Sequence, residues 1–189
     1  MDVVEQAALA RRAQAGDADA FGQLYQALIE PIYRFVFYKT FHTETTEDIT
    51  SQVFFKTLDT IASFNPNKGS FSTWVYQIAR HTVIDHFRTQ KNQVDIQDAW
   101  DIGEDSMVQR DVDAHLRLEA VRGQMQKLPS ETRDLLILRL WEELSYAEIA
   151  QILGKSEAAC KMSFSRAIRD LRAQLPAFLT LCYLLSFRS

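Results

Sequence analysis

The sequence predicts an all-α protein: two small helical domains joined by an acidic flexible linker, the C-terminal one a helix-turn-helix. Three observations carry that reading. Apolar residues recur at three- and four-residue spacing along most of the 189 residues, and alternating strand patterns with hairpin turns are missing. Only 6 Gly and 4 Pro interrupt the chain. The helical spacing fails once, from about Asn92 to Asp113, where Asp95, Asp98, Asp101, Glu104, Asp105, Asp111 and Asp113 stand among few large apolar residues. Such a stretch buries too little surface to offset the entropy of ordering it.

In chain order, the first amphipathic stripe is Phe21, Leu24, Tyr25, Leu28, Ile32, Phe35 and Val36, with Pro31 inside it. Proline removes a helical N–H and clashes with the preceding turn, so a kink or break is expected near Glu30. A second series runs Ile49, Val53, Phe54, Thr57, Leu58 and Ile61. Phe64-Asn-Pro-Asn-Lys-Gly69 then reads as a loop. Ser70 is placed to cap a helix whose apolar residues are Phe71, Trp74, Val75, Ile78, Ala79, Val83, Ile84 and Phe87. The resulting division is a first helical domain at 1–91, an acidic linker at 92–117, a second domain at 118–175 and an apolar tail at 176–189.

The formal net charge is −4, which suits a nucleic-acid binder poorly until its distribution is read. Residues 1–67 hold 5 Lys/Arg against 9 Asp/Glu, and residues 92–119 hold 2 against 8. Residues 68–91, by contrast, hold 4 against 1, and residues 120–175 hold 9 against 7. Two basic blocks on an acidic chain point to phosphate contact at two places. The N-terminus lacks the charged-then-apolar pattern of a leader. No apolar run reaches the ~20 residues of a spanning helix. Cys160 and Cys182 have no partner spacing for zinc or a disulfide scaffold, and read as buried thiols in a reducing compartment.

The strongest local signal is Leu144 to Arg172. Ser145-Tyr-Ala-Glu148 has the form of a capping box. Ile149, Ala150, Ile152 and Leu153 give one apolar face, and Gly154 sits where a helix ends in a left-handed residue. Ser156 can cap a second helix, with Cys160, Phe164, Ile168 and Leu171 turned inward. Its outward side chains include Lys161, Met162, Ser165, Arg166 and Arg169, of which the cations suit phosphates or guanine edges. A helical hairpin with a solvated basic face would show the same pattern.

In the first domain, Arg80, His81, Arg88 and Lys91 share a helix with Phe71, Trp74, Tyr76 and Phe87. Cations interleaved with aromatics are used to hold melted strands. Helical spacing assigns Phe71, Trp74 and Phe87 to the core. The polar loop Asn65, Asn67, Lys68 and Ser70 offers amides that can pair with an extruded base, or is a simple turn between helices. His81, Asp85 and His86 lack a third ligand or a nucleophile, so no metal and no catalytic group are expected. On these residues a duplex-binding repressor or a partner-sequestering protein also competes, although the first leaves the loop-and-aromatic block unexplained.

Phe71-Ser-Thr-Trp-Val-Tyr-Gln-Ile-Ala-Arg-His-Thr-Val-Ile-Asp-His-Phe-Arg88 resembles the promoter-melting helix of the extracytoplasmic-function sigma factors, group IV of the sigma-seventy family. Glu47-Asp-Ile49 through Val53-Phe54 is similar to the family's polymerase-docking helix. Leu128-Pro129, Leu144 to Gly154 and Lys161 to Arg172 resemble its fourth conserved region. The third conserved region of larger sigma factors has no room here.

The resemblance implies a non-enzymatic subunit that directs core RNA polymerase to promoters and helps open them. Glu47, Asp48, Gln52, Val53 and Phe54 would bind polymerase. Asn65, Asn67, Lys68, Ser70, Arg80, His81 and Arg88 would recognise the minus-ten element. Lys161, Met162, Ser163, Ser165, Arg166 and Arg169 would read the minus-thirty-five element as duplex. The partners implied are core polymerase, promoter DNA in duplex and melted form, and an anti-sigma factor that could hold the protein near the membrane. The location implied is the bacterial cytoplasm, with no cofactor, small-molecule substrate or membrane insertion. The chain departs from the family at Ser51 and Gln52, where an amide and a carboxylate are common. It departs again at Ser163 and Ile168, where basic residues are usual. Fewer cations imply a smaller phosphate footprint and a shallower salt dependence. The tail Pro176 to Ser189 is unlike the family's usual ending.

Overall fold

The computed structural model describes residues 1–93 and 122–173, and no strand occurs among them. The acidic linker beyond its first residues, the tail and Cys182 lie outside the described residues. The chain divides into two compact units. The first carries α1 (Val3–Gln14), α2 (Ala18–Thr40), α3 (Thr43–Thr60), two short 3-10 turns (Ile61–Ser63 and Pro66–Lys68) and α4 (Phe71–Gln93). The second carries α5, helical over 122–126, and then α6 (Ser130–Leu140) and α8 (Glu157–Ala173), with α7 (Tyr146–Leu153) between them in sequence.

Local sequence starts and stops the helices of the first unit. Asp2 caps α1, its carboxylate accepting from the Glu5 N–H at 2.8 Å. Asp17 caps α2 by accepting from Ala20 N–H at 3.0 Å, and the same carboxylate takes Nε and an Nη of Arg12 at 2.9 and 2.7 Å. The turn from α1 to α2 is therefore tied at one side chain. These bonds hold the Asp17 carboxyl below the usual carboxylate range, the Ala20 N–H foremost and the Arg12 guanidinium next. α2 ends at Phe41, whose φ of +51° returns its N–H to the Phe37 carbonyl at 2.7 Å. His42 then caps α3 by accepting from Thr45 N–H at 3.2 Å.

α2 is the centre of this unit. Leu24, Ile32, Phe35 and Val36 are fully buried and Leu28 is nearly so, and α1, α3 and α4 all pack on the helix. Of the kink or break expected near Glu30, the break does not occur: α2 runs unbroken from Ala18 to Thr40 with Pro31 inside it. Burial explains why. A proline inside a helix costs ~3 kcal/mol, whereas each large apolar side chain taken out of water returns ~1.5–3 kcal/mol, and buried residues lie on both sides of Pro31. Tyr25, by contrast, sits off that stripe and is exposed.

The helices α7 and α8 depend on caps. Ser145 and Glu148 form the capping box: Glu148 N–H donates to Ser145 Oγ at 3.2 Å, and Ser145 N–H donates to Glu148 Oε2 at 2.8 Å. Gly154, at φ +67°, lets the Lys155 N–H reach back to the Ala150 carbonyl at 3.0 Å, closing α7. Ser156 caps α8 by accepting from the Ala159 N–H at 3.2 Å. Leu136 of α6 packs with Ala167 and Leu171 of α8, and Leu128, Leu140, Phe164 and Ile168 close around them. Cys160 is buried, and burial pushes its thiol up from the ordinary value.

Arg133 is 3% exposed and ends α5: it donates to the carbonyls of Met125, Gln126 and Leu128 at 2.9, 3.4 and 3.2 Å. The Met125 carbonyl also accepts from the Leu128 N–H at 3.2 Å, so what Arg133 adds at this partly buried helix end is chiefly a partner for the Gln126 and Leu128 carbonyls. The Arg133→Met variant is expected to lose ~2–3 kcal/mol of stability by urea denaturation, the cost of leaving such groups unpaired. Ser145→Ala is expected to lose only ~1 kcal/mol, as exposed caps do. Equal losses for the two would overturn this assignment of Arg133.

Candidate nucleic-acid and polymerase interfaces

The first candidate surface is the loop between α3 and α4. Asn65 Oδ1 accepts from Asn67 N–H at 2.9 Å, and Lys68 N–H donates to the Asn65 carbonyl at 3.0 Å, so the loop is a tight turn with its own caps. Asn65, Asn67 and Lys68 are exposed. Asn67 and Lys68 have no side-chain hydrogen bond or ion pair among the described residues. Ser70 differs from them. It is half-buried, and its hydroxyl accepts from Thr73 N–H at 3.1 Å to cap α4, so it shapes the loop. Phe64, which precedes the loop, meets Phe71 and Trp74, which follow it, with ring centroids 5.2 and 5.4 Å apart. Aromatic pairing across the base of the loop holds its ends together.

Along α4, Arg80 is half-buried while His81 and Arg88 are exposed. Arg88 pairs with Asp85 at 3.2 Å. At 1.5 Å per residue, Arg80 lies roughly 13 Å and Arg88 roughly 25 Å along the helix from Phe71. These residues form a strip and not a pocket, which suits a strand laid along a helix. Phe71 and Tyr76 are buried, and Trp74 and Phe87 are half-buried, so the aromatics read as core serve mainly there.

The second candidate surface is α3. Glu47, Asp48 and Gln52 are exposed, as read from sequence. Val53 and Phe54 are not: they are 0% and 6% exposed, and Phe54 meets Tyr25 edge-on at 4.7 Å. Position in the helix decides this, because Val53 follows the buried Ile49 by four residues. The outward apolar residues are instead Phe55 at 73% and Leu58 at 52% exposure, with Ile84 of α4 also exposed. Asp48, Gln52 and Phe55 fall at i, i+4 and i+7 on one outward stripe. The apolar series had placed Leu58 and Ile84 inward, and it gave no sign of Phe55. The usable signal was that Phe55 falls out of register with Ile49 and Val53.

The third candidate surface is α8. Lys161, Met162, Ser165, Arg166 and Arg169 are exposed, and Ser163 is half-buried. Lys161 pairs with Glu157 at 2.6 Å and lies 5.7 Å from the centre of the Tyr146 ring. Arg139 covers the same ring at 4.9 Å and donates to the Leu144 carbonyl at 2.9 Å, fixing the entry to α7. Ile168 packs into the core cluster, so its side chain is spent on holding α8 in place. Among the described residues no group of three His, Cys, Asp or Glu is placed to hold a metal, and no helix is long and apolar enough to cross a membrane.

Comparison with known proteins bears on all three surfaces. Sigma-70 region 2 matches residues 24–93, and Sigma-70 region 4 matches residues 118–171. The chain is 32% identical over 166 residues to the RNA polymerase sigma factor YlaC of Bacillus subtilis, covering 83% of this chain and 92% of that one. The chain belongs to the sigma-seventy family, in its extracytoplasmic-function group. It is 36% identical over 176 residues to the ECF RNA polymerase sigma factor BldN of Streptomyces coelicolor, spanning 89% of its own length and 65% of that protein's. In fold, the sigma factor is similar to CnrH, solved with the cytosolic domain of CnrY (TM-score 0.73, 23% identity, 92% of this chain and 98% of that one). It is also similar to RpoE of Bartonella quintana, solved with the anti-sigma factor NepR (TM-score 0.64, 20% identity, 78% and 91%). Region 2 begins in α2, so α1 precedes the matched stretch.

One group on the α3–α4 face titrates abnormally. The His86 Nε2 is buried with no hydrogen-bond partner among the described residues. Burial pulls this imidazole below its ordinary 6.5, against an opposing pull from Asp48. As pH falls below 6.5, the unfolded chain takes up a proton that the folded chain refuses. Stability is therefore full above that value, falls toward the depressed folded value and levels off beneath it. Urea midpoints measured between about pH 7.5 and pH 5.5 should show this decline in the wild type, and the His86→Leu variant should flatten it.

Proposed function

We propose that this sigma factor binds core RNA polymerase, directs it to promoters with minus-ten and minus-thirty-five elements, and helps open them. The observation that carries the reading is the presence in one chain of two differently built DNA-facing surfaces. One is a pinned loop with exposed amides, Asn65 and Asn67, and a cation, Lys68. The other is a capped helix-turn-helix with Lys161, Arg166 and Arg169 outward. The loop suits an unstacked base held by its edge, and the second helix suits a duplex major groove. Holding extruded bases better than stacked ones shifts the promoter toward its open state without any chemistry by this chain.

Polymerase docking falls to Asp48, Gln52, Phe55 and Leu58 on the outward face of α3, with Val53 and Phe54 supporting them from the core. Ser51 and Gln52 leave this face short of a charge, and Phe55 supplies apolar area in its place. The limits 1–91, 92–117 and 118–175 follow from the same division of labour, with the acidic stretch as a tether between the two DNA-facing units. One relative in fold was solved with the anti-sigma factor NepR and another with the cytosolic domain of CnrY, which supports a like partner for this chain and a cytoplasmic place of action.

Transcription with core polymerase and a promoter-bearing fragment library tests the reading. The wild type should yield polymerase-dependent transcripts that share a two-part promoter. Lys161→Ala combined with Arg166→Ala should lower them at least tenfold, since each contact to phosphate or a base edge contributes ~1–3 kcal/mol. Phe55→Asp should abolish co-purification with polymerase while leaving the urea midpoint in place, because the side chain is exposed. No transcripts and no co-purification for the wild type would sink the proposal.

A further inference from the structure

We infer that α1, which lies outside the stretch matched by region 2, is the positioning element of the minus-ten loop and acts through Gln14 and Gln6. The inference rests on the reading of Asn65–Ser70 as the base-holding loop. Gln14 donates its side-chain N–H groups to two carbonyls, Ile61 at 2.9 Å and Phe64 at 2.8 Å, just before the loop begins. Gln6 accepts from the Ser72 N–H at 3.1 Å, just after the loop ends. Gln6 is itself buried. One helix therefore grips the chain on both sides of the loop, through contacts 47, 50 and 66 residues distant in sequence.

Two of these contacts answer a backbone need. The Ser72 N–H belongs to the first turn of α4, where no carbonyl lies one turn back to receive it. The Phe64 carbonyl lies just past the 3-10 turn, while the Ile61 carbonyl, which begins that turn, takes the Gln14 N–H beside the Phe64 N–H at 3.0 Å. Gln6, Leu9, Ala10 and Gln14 fall at i, i+3, i+4 and i+8, on one stripe of α1, with Leu9 and Ala10 buried between the two amides. The two glutamines are roughly 12 Å apart along the helix, so they brace the loop across its whole base. α1 is in turn tied to α2 by the Arg12–Asp17 pair at 2.7 Å.

The loop carries its exposed amides at a fixed place only if its ends are fixed, and an amide misplaced by an ångström pairs poorly with a base edge. Gln14 is half-buried, and its amide N–H groups are spent on the two carbonyls. Its loss should appear in how the loop discriminates bases.

The test uses the full chain with core polymerase. Gln14→Met keeps the length of the side chain and removes the donors, whereas Gln14→Lys restores donors to the two carbonyls. Three properties are read: amide exchange at residues 65–70, affinity for core polymerase, and open-complex formation on promoters carrying single-base changes in the minus-ten element. In Gln14→Met, loop exchange should quicken and discrimination among minus-ten bases should fall, each roughly fivefold, as for loss of a neutral hydrogen bond or two. Core affinity should hold, and Gln14→Lys should recover the wild-type values. Unchanged discrimination and unchanged loop exchange would overturn the inference. So would a loss that takes core affinity with it and is not recovered by lysine, since that marks a general loss of fold. A wild type without polymerase-dependent transcripts would instead refute the function itself, and amide exchange alone would then decide whether α1 grips the loop.

Discussion

Leu24, Leu28, Ile32, Phe35 and Val36 form a nearly solvent-free stripe along α2, and the arrangement of the first unit follows from burying it. No single partner helix can cover that stripe, so α1, α3 and α4 close around it. At ~1.5–3 kcal/mol for each large apolar side chain removed from water, the stripe is worth on the order of 10 kcal/mol before the entropy of ordering is set against it. That scale explains why Pro31 is tolerated inside the helix. It also fixes which faces of α3 and α4 remain for solvent. Once Ile49 and Val53 turn inward, Asp48, Gln52 and Phe55 have to turn outward.

The two candidate DNA-binding surfaces are built by a different kind of force. Ser70, Ser145, Ser156 and Gly154 set helix starts and stops through hydrogen bonds a few residues long. Each is worth ~1 kcal/mol, small beside the core. Their effect is directional: a cap decides where a helix begins, hence which side chains its first turns present. Lys161 points outward because Ser156 begins α8 at that register and Cys160 takes the inward place. Burial thus holds the units together, and caps aim what they present.

This division explains what could be read from the sequence. Caps and loops are local, so Ser70, the Ser145–Glu148 box and Gly154 were legible from residue types and spacing. The all-helical class was legible because period and composition agree throughout. What failed were decisions made by tertiary contact. Phe54 and Phe55 are the same residue type side by side, and only the angle at which α3 meets its neighbours separates 6% from 73% exposure. Pro31 reads as a break because propensity is local, while the burial that overrides it is not. The partners of Gln6 and Gln14 lie across the fold, so a glutamine at either position looks like any solvated helix residue until the fold is known.

The charge pattern then has a physical account. Three exposed cations on the candidate DNA-binding helices have an acidic neighbour on the same helix: Arg88 with Asp85 at 3.2 Å, Lys161 with Glu157 at 2.6 Å and Arg169 with Asp170 at 3.4 Å. Exposed pairs of this kind contribute ~0–1 kcal/mol, so a phosphate displaces the carboxylate easily where geometry favours it. At a site where only one or two cations meet the backbone, the neighbouring carboxylates and the net charge of −4 oppose contact. Non-specific attraction to duplex is mainly such backbone contact, whereas specific binding adds base edges and the held loop. Pairing these three cations with acids therefore weakens the non-specific mode more than the specific one. A net acidic chain can in this way keep a usable specificity ratio on DNA that offers a great excess of competing sites.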